Sequence, residues 1–294
     1  MNAILNFIFE QCTYLFDPLH YHWEHEQMNK KISVLLVLLF IGILLVIELK
    51  RQGLLPAALA GPIPNNHFYA IQTAFTVVLI LEVVSLIFTL PCSFSRSVGK
   101  QFEILSLILM RNSFKELSYL PEPITFTGNE QAIYRILSDG FGALLLFALL
   151  GVYYRIQTLQ HDDTSKPWDL FSFVAAKKGI ALILLGIFVY MGIKTILQTI
   201  AGVEHPDFFH GFYTLLIITD ILLVLIAQSF QPSFFAVFRN SGYALSTLII
   251  RLALAAPAYY NVLLGVAAAV FGIAMTLITT KLFTKQVQKS SFKC

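Results

Sequence analysis

The sequence predicts an all-α, polytopic membrane protein. Hydrophobic residues make up 57% of the 294 residues and charged residues only 13%. The mean hydropathy is +0.73, and such values are typical of membrane proteins. The apolar residues form long continuous runs instead of the alternation of a membrane β-strand. Because backbone groups in hydrocarbon must be hydrogen-bonded internally, these runs are expected to be helices.

Six apolar runs are long enough to cross a bilayer, for which about 20 residues are needed. They cover residues 32–49, 68–90, 133–154, 180–197, 208–230 and 259–282. Two further runs, 102–120 and 242–256, are more polar, because each carries an arginine near its middle, Arg111 or Arg251. Counting both gives eight membrane helices and excluding both gives six. We expect the eight-helix arrangement.

Residues 1–29 are expected to form an interfacial N-terminal segment containing an amphipathic helix. Its apolar face comprises Ile4, Phe7, Ile8 and Leu15, and the opposite face carries Asn2, Glu10 and Asp17. A helix of this kind suits the boundary between lipid headgroups and acyl chains. The segment lacks the positively charged start of a secretory signal, so cleavage is not expected.

The sequence predicts an internal repeat. Residues 93–116 and 233–256 align without gaps, and their identical positions are Ser93, Phe94, Leu105, Ser106 and Arg111, matched by Ser233, Phe234, Leu245, Ser246 and Arg251. The repeat predicts two parallel four-helix membrane units, residues 30–156 and 177–284, joined by a cytoplasmic linker at 157–176.

Positive charge predicts the orientation in the membrane. Lys281, Lys285, Lys289 and Lys293 follow the last apolar run. The last three of these lysines lie in a basic tail, residues 285–294. This positive charge indicates a cytoplasmic C-terminus. With an even number of spans, the N-terminus is cytoplasmic as well. A bacterial inner (plasma) membrane is the expected location.

Ionisable residues within the spans are the candidate functional groups, because a charge in hydrocarbon is costly unless it is paired or faces water. Each half has one acid on its second helix and one arginine on its third. This predicts two intramembrane charge pairs, Glu82 with Arg111 and Asp220 with Arg251. The other ionisable residues expected to be buried are Glu103, Asp139 and Lys194. Such pairs either hold helices in register or belong to a pathway through the membrane.

Three histidines near the N-terminus offer imidazole ligands of the kind that bind Zn²⁺ or Cu²⁺. They are His20, His22 and His25. Their spacing does not place three rings on one helix face. No metal site and no other cofactor is therefore expected.

Small residues form a stripe on the last helix. Gly265, Ala269 and Gly272 recur at three- and four-residue spacing, which allows helices to approach closely. The stripe suits packing within the chain, against a second copy or against another membrane subunit. The expected partners are therefore the lipid bilayer and a homo-oligomer or membrane-complex subunits. The net charge of +3 indicates no nucleic-acid surface.

No catalytic motif accompanies these features, since the sequence lacks a nucleotide-binding glycine loop, HExxH and GxSxG. We therefore expect a non-enzymatic protein that transports or conducts an ion or small solute, or a sensor-like membrane module that uses its Arg–acid pairs. The first alternative is a non-catalytic scaffold or a subunit of a larger membrane complex. The second is a membrane-embedded enzyme that acts on lipid or quinone.

Overall fold

The computed structural model describes residues 2–54, 66–92, 94–117, 119–120, 126–157, 167–201, 208–230 and 232–283. Within these ranges the chain is almost entirely helical and has no β-strand, which confirms the all-α prediction. The helices are α1 Asn2–Glu24, α2 Glu26–Arg51, α3 Phe68–Thr89, α4 Phe94–Leu117, α5 Glu130–Ile156, α6 Pro167–Ile200, α7 Phe208–Phe230, α8 Phe234–Ala255 and α9 Tyr260–Leu277, followed by a π-helical turn at Ile278–Phe283. The basic tail at 285–294 and residues 158–166 of the predicted linker lie outside the described residues.

Six helical segments are long and apolar enough to cross a membrane. They are Lys30–Arg51, Phe68–Thr89, Glu130–Ile156, Phe171–Thr199, Gly211–Phe230 and Tyr260–Thr280. They coincide with the six apolar runs of the sequence and are what an integral membrane protein requires. The more polar helices α4 and α8 are of similar length, 24 and 22 residues.

Helices α3, α4 and α5 run in alternating directions between the same two ends of the bundle. At one end, the side chain of Gln157, just after α5, donates to Ser95 Oγ at the start of α4 over 2.7 Å. At the other end, Asn66 before α3 donates to the carbonyl of Leu120 after α4 over 3.4 Å. Helix α4 therefore extends over the full length of its neighbours.

The end of the bundle at which α4 begins is here called the basic end. The first half of α6 also lies at this end, because the ammonium group of Lys177, ten residues after the start of the helix, donates to the carbonyl of Cys92 over 3.1 Å. The same ammonium lies 4.1 Å from the ring centroid of Phe173. Its neighbour Lys178 pairs with Asp17 of α1 at 2.6 Å. These contacts fasten α1 and α6 to the turn between α3 and α4.

Helices α4 and α8 lie inside the bundle. Helix α4 packs against α3, α5, α8 and α9, and α8 packs against α7, α9 and α4. Their buried polar residues include Gln101, Ser106, Asn240, Ser246 and Thr247. Because these side chains face protein instead of lipid, the two helices tolerate more polar residues than helices at the surface do.

Helix α1 packs through a face that the sequence pattern does not predict. Phe16 is buried, and its ring centroid lies 5.6 Å from that of Phe88 at the end of α3. Trp23 approaches the same ring at 5.8 Å. The predicted apolar face is exposed at Phe7 and Leu15. The side chains of Ile4 and Ile8 lie outside the described part, and the contact of this face with the membrane surface stays a prediction.

The small-residue stripe of α9 packs inside the chain. A Cβ atom on Gly265 would lie 3.2 Å from Leu146 of α5, and one on Gly272 would lie 3.2 Å from Phe102 of α4. Ala269 between them is buried. The stripe is thus a seam between helices of one chain.

Candidate functional site

Asp220 and Arg251 place two ionisable side chains inside the bundle. Asp220 lies near the middle of α7 and is 8% exposed, and Arg251 lies in the second half of α8 and is 3% exposed. A buried charge is expensive unless a partner of opposite charge and good hydrogen bonds compensate it. The positions of both residues therefore require an explanation.

The two side chains interact electrostatically, but in the described part of the chain they form no ion pair within 4.0 Å. Asp220 Oδ2 is buried without a hydrogen-bond partner there, as are Arg251 Nε and Nη2. A buried polar atom left unsatisfied costs about 1–3 kcal/mol, and more if it is charged. The arrangement is less favourable than a closed ion pair.

The register of α7 against α8 explains the separation. The two helices are antiparallel and joined by a short turn, so residues equally far from the turn lie level. Asp220 lies roughly level with Thr247, and the two side chains are neighbours. Tyr213 lies level with Arg251, whose guanidinium carbon is 5.8 Å from the tyrosine ring centroid. Asp220 and Arg251 are therefore out of step by one to two helical turns, each of about 5.4 Å.

Gln101 of α4 brings a third polar side chain from the first half of the chain. It is 1% exposed and lies beside Asp220. Neither its amide nitrogen nor its amide oxygen has a hydrogen-bond partner among the described residues. The residues Gln101, Tyr213, Asp220, Thr247 and Arg251 are called the central polar cluster from here on.

A small cavity borders this cluster. Asp220 and Thr247 line it, together with Leu90 and Phe94 from the ends of α3 and α4 that meet at the basic end. The space that the centre of a water molecule can occupy is about 10 Å³, which is close to the minimum for one water. The cavity reaches the acid of the cluster.

Arg111 of α4 also lies close enough to the cluster to interact with it. Its charge acts on Tyr213, as that of Arg251 does. Its Nη1 atom donates to Thr76 Oγ1 over 3.5 Å. The arginines of the two predicted repeats thus converge on one tyrosine of α7.

Glu82 forms its ion pair with Lys100, whereas the sequence predicts Arg111 as its partner. The distance from Lys100 Nζ to Glu82 Oε2 is 2.6 Å, and Lys100 also contacts Glu103 Oε2 at 2.8 Å. The Tyr154 hydroxyl donates to Glu103 Oε1 over 2.6 Å. Because α3 and α4 are antiparallel, Glu82 near the end of α3 lies level with the start of α4. Arg111, three turns further along α4, lies out of its reach.

Asp139 has a hydrogen-bond partner in the second half of the chain. It is 4% exposed and accepts a hydrogen bond from Asn261 Nδ2 over 2.9 Å. Nearby, Arg135 pairs with Glu116 at 3.8 Å. Asp139 is thus buried as predicted, and its contact joins α5 to the start of α9.

Lys194 is exposed on α6, contrary to the expectation that it is buried. It lies within two turns of the end of the helix, where a long side chain can extend towards the membrane surface. Glu103 is also less buried than predicted, with 34% of its side chain exposed.

The three histidines have separate environments. His20 stacks on Phe16, with ring centroids 5.7 Å apart. His22 is exposed, and His25 Nδ1 accepts the backbone N–H of Gln27 over 3.3 Å. Among the described residues no group of three or more metal-ligating side chains comes together.

The sequence pattern of ionisable residues at mid-span does not predict every residue in these contacts. It misses Lys100, Gln101, Tyr213 and Thr247. Gln101, Tyr213 and Thr247 are uncharged at neutral pH, and Lys100 lies near the start of its helix. Measuring register from the α3–α4 and α7–α8 turns indicates Lys100 as the partner of Glu82 and Tyr213 as that of Arg251. The partners of the charged residues therefore follow from the register between neighbouring helices, and not from depth in the membrane alone.

Comparison with models of protein families, with curated proteins and with solved structures finds no match.

Proposed function

We propose that the protein transports or conducts an ion or small solute, and that the pathway passes through the central polar cluster. The observation that carries this proposal is the state of Asp220 and Arg251. Both are buried, both keep unsatisfied polar atoms, and they do not close on each other. Polar atoms held in this way can bind a solute that exchanges places with water.

A scaffold that uses charge only for packing would be expected to close its ion pairs. The contact of Lys100 with Glu82 and Glu103 has that closed form, at 2.6 and 2.8 Å. The cluster around Arg251 differs, and a cavity reaches its acid. These differences favour transport over the scaffold. The proposed activity involves no chemical conversion and no cofactor.

The eight-span arrangement, built as two parallel repeats, is part of this proposal. Helices α3 and α7 begin at Phe68 and Phe208, 140 residues apart, and α4 and α8 begin at Phe94 and Phe234, again 140 residues apart. Helix α4 is as long as its neighbours, and so is α8. These regularities support one duplicated unit in which α4 and α8 also cross the membrane.

We further propose that the basic end faces the cytoplasm of a bacterial inner membrane. The exposed residues Lys30 and Lys31 lie in the first turns of α2, and Lys177 and Lys178 lie in the first half of α6 at this end. Positive charge of this kind is retained on the cytoplasmic side. Lipid covers the exposed apolar faces, and oligomerisation is left to experiment.

Reconstitution into liposomes tests the proposal. We expect the purified protein to give salt-dependent ion flux above that of protein-free vesicles when a voltage is imposed across the membrane. Flux equal to that of protein-free vesicles, for every salt and voltage applied, would exclude transport of ions and favour the scaffold.

A further inference from the structure

The guanidinium group of Arg251 has one edge without partners. Nε and Nη2 are the two nitrogens whose N–H bonds point in parallel from the same edge of the group. Both are buried without a hydrogen-bond partner among the described residues, on a side chain that is 3% exposed. The negatively charged neighbour of this group is Asp220, which interacts with it from beyond ion-pair distance. An edge with two parallel donors is thus held ready inside the bundle.

Two parallel donors on a guanidinium edge match a planar anion with two oxygen atoms. Carboxylates and similar oxyanions accept both hydrogen bonds at once, and this bidentate geometry is stronger and more selective than contact with a single point charge. A metal cation cannot use this edge, because the edge offers only N–H donors and a positive charge. The two donors of Arg251 therefore match an acceptor of this kind and not a cation.

We propose that Arg251 is a binding site for a small monovalent oxyanion, a carboxylate or an anion of the nitrate type, and that this anion is the solute that passes through the cluster. The inference rests on the proposed transport function. Asp220 limits the charge of the ligand, since its own negative charge already offsets part of that of Arg251.

The neighbouring residues suit such a ligand. Tyr213 lies beneath the guanidinium group, at 5.8 Å from its carbon, and holds the group in place by a cation–π contact. The charge of the second arginine, Arg111, also acts on Tyr213.

Thermal unfolding of the full-length protein in detergent tests for the binding site. Sodium nitrate and sodium acetate are each compared with sodium chloride at equal ionic strength. We expect nitrate and acetate both to raise the unfolding temperature of the wild type above its value in chloride, with a saturable dependence on concentration. Nitrate and acetate have opposite general effects on protein solubility, so a shared stabilisation indicates binding. If neither salt raises the unfolding temperature above its value in chloride, the proposed oxyanion site is wrong.

Arg251→Lys keeps the positive charge and removes the two-donor edge. It should weaken the response to nitrate and acetate by about tenfold or more, the loss expected for one charge-assisted contact. Arg239→Lys, on the same helix but outside the cluster, should respond as the wild type does. An unchanged response in Arg251→Lys contradicts the assignment. If that variant does not fold, the comparison of salts on the wild type decides the matter alone.

Flux measurements separate this inference from the transport function. Proteoliposomes that pass potassium but neither nitrate nor acetate would support transport and overturn the oxyanion inference. Saturable binding of nitrate and acetate in detergent, without flux of either anion, would support the Arg251 site and contradict its role in transport.

Discussion

Asp220 and Arg251 lie on adjacent helices out of step by one to two turns, so their charges interact although their side chains form no ion pair in the described part of the chain. The antiparallel register of α7 and α8 produces this offset. Tyr213 occupies the position level with Arg251, and Thr247 the position level with Asp220. The same fold that buries both charges thereby keeps their polar atoms available to a ligand.

Replacing Gln101 by leucine should stabilise the protein and impair its transport. The side chain is 1% exposed and both amide atoms lack partners among the described residues, so an apolar side chain of similar size removes an unsatisfied group. We expect the free energy of unfolding to rise by about 1–3 kcal/mol. Thermal or denaturant unfolding in detergent measures it.

Asn261→Leu is the matched control for this change. Asn261 donates to Asp139 over 2.9 Å, so its replacement should lower stability, because a buried acceptor loses its donor. Equal destabilisation by Gln101→Leu and Asn261→Leu would show that Gln101 is a structural residue with its hydrogen bonds made.

Replacing Lys100 by methionine should destabilise the protein, because Glu82 and Glu103 then face each other without the ammonium group between them. The side chains are partly exposed, so the expected cost is about 1–3 kcal/mol, between that of a surface pair and that of a buried pair. Adding Glu82→Gln to Lys100→Met should restore part of the stability. Lys31→Met, at an exposed lysine, serves as the control in unfolding measurements.

Gly142→Ala should be strongly destabilising for so small a change. A Cβ atom at this position of α5 would lie 2.6 Å from Val262 of α9. Overpacking of this kind costs about 1–3 kcal/mol. Gly151→Ala on the same helix meets no atom within 4 Å, and it should be neutral or stabilising by up to about 1 kcal/mol.

Val262→Ala combined with Gly142→Ala should recover most of the lost stability in the same assay. If Gly142→Ala alone behaves like Gly151→Ala, helices α5 and α9 do not approach as closely as described.

The helix content and the six apolar spans can be predicted from sequence, because hydrocarbon requires long apolar helices. Helices α4 and α8 are harder to recognise. Their polar residues, such as Gln101 and Arg251, are surrounded by other helices. These side chains do not contact lipid, so the helices need not be as apolar as those at the surface. Which residues of a helix are buried depends on the helices that pack against it, and these cannot be read from the sequence.

The partners of the charged residues are less predictable than their depth. Position along a span gives depth only to within a turn or two, whereas the choice between Lys100 and Arg111 as partner of Glu82 depends on one turn. The same limit applies to α1, whose apolar residues occur on more than one side. Phe16 packs on the protein while Phe7 is exposed, because the surface of α6 and the end of α3 select the face.

Cysteine labelling from outside the cell tests whether α4 and α6 both end on the external side. In a variant with the native cysteines replaced, Lys115→Cys and Lys194→Cys should react with a membrane-impermeant reagent added externally. Lys30→Cys, exposed near the start of α2, should react only after the membrane is opened. Protection of Lys115→Cys from external reagent would contradict the eight-span arrangement.

The central claim is that solute passes the cluster at Arg251. The most direct measurement is ion flux per protein molecule in proteoliposomes, comparing the wild type with Arg251→Gln and with Arg239→Gln. Both variants remove one arginine from α8, but only the first lies in the central polar cluster. We predict that Arg251→Gln reduces flux by about tenfold or more, as expected for the loss of a charge-assisted contact, while Arg239→Gln retains it. Equal flux in the two variants, at equal incorporation into the vesicles, would contradict a pathway through Arg251.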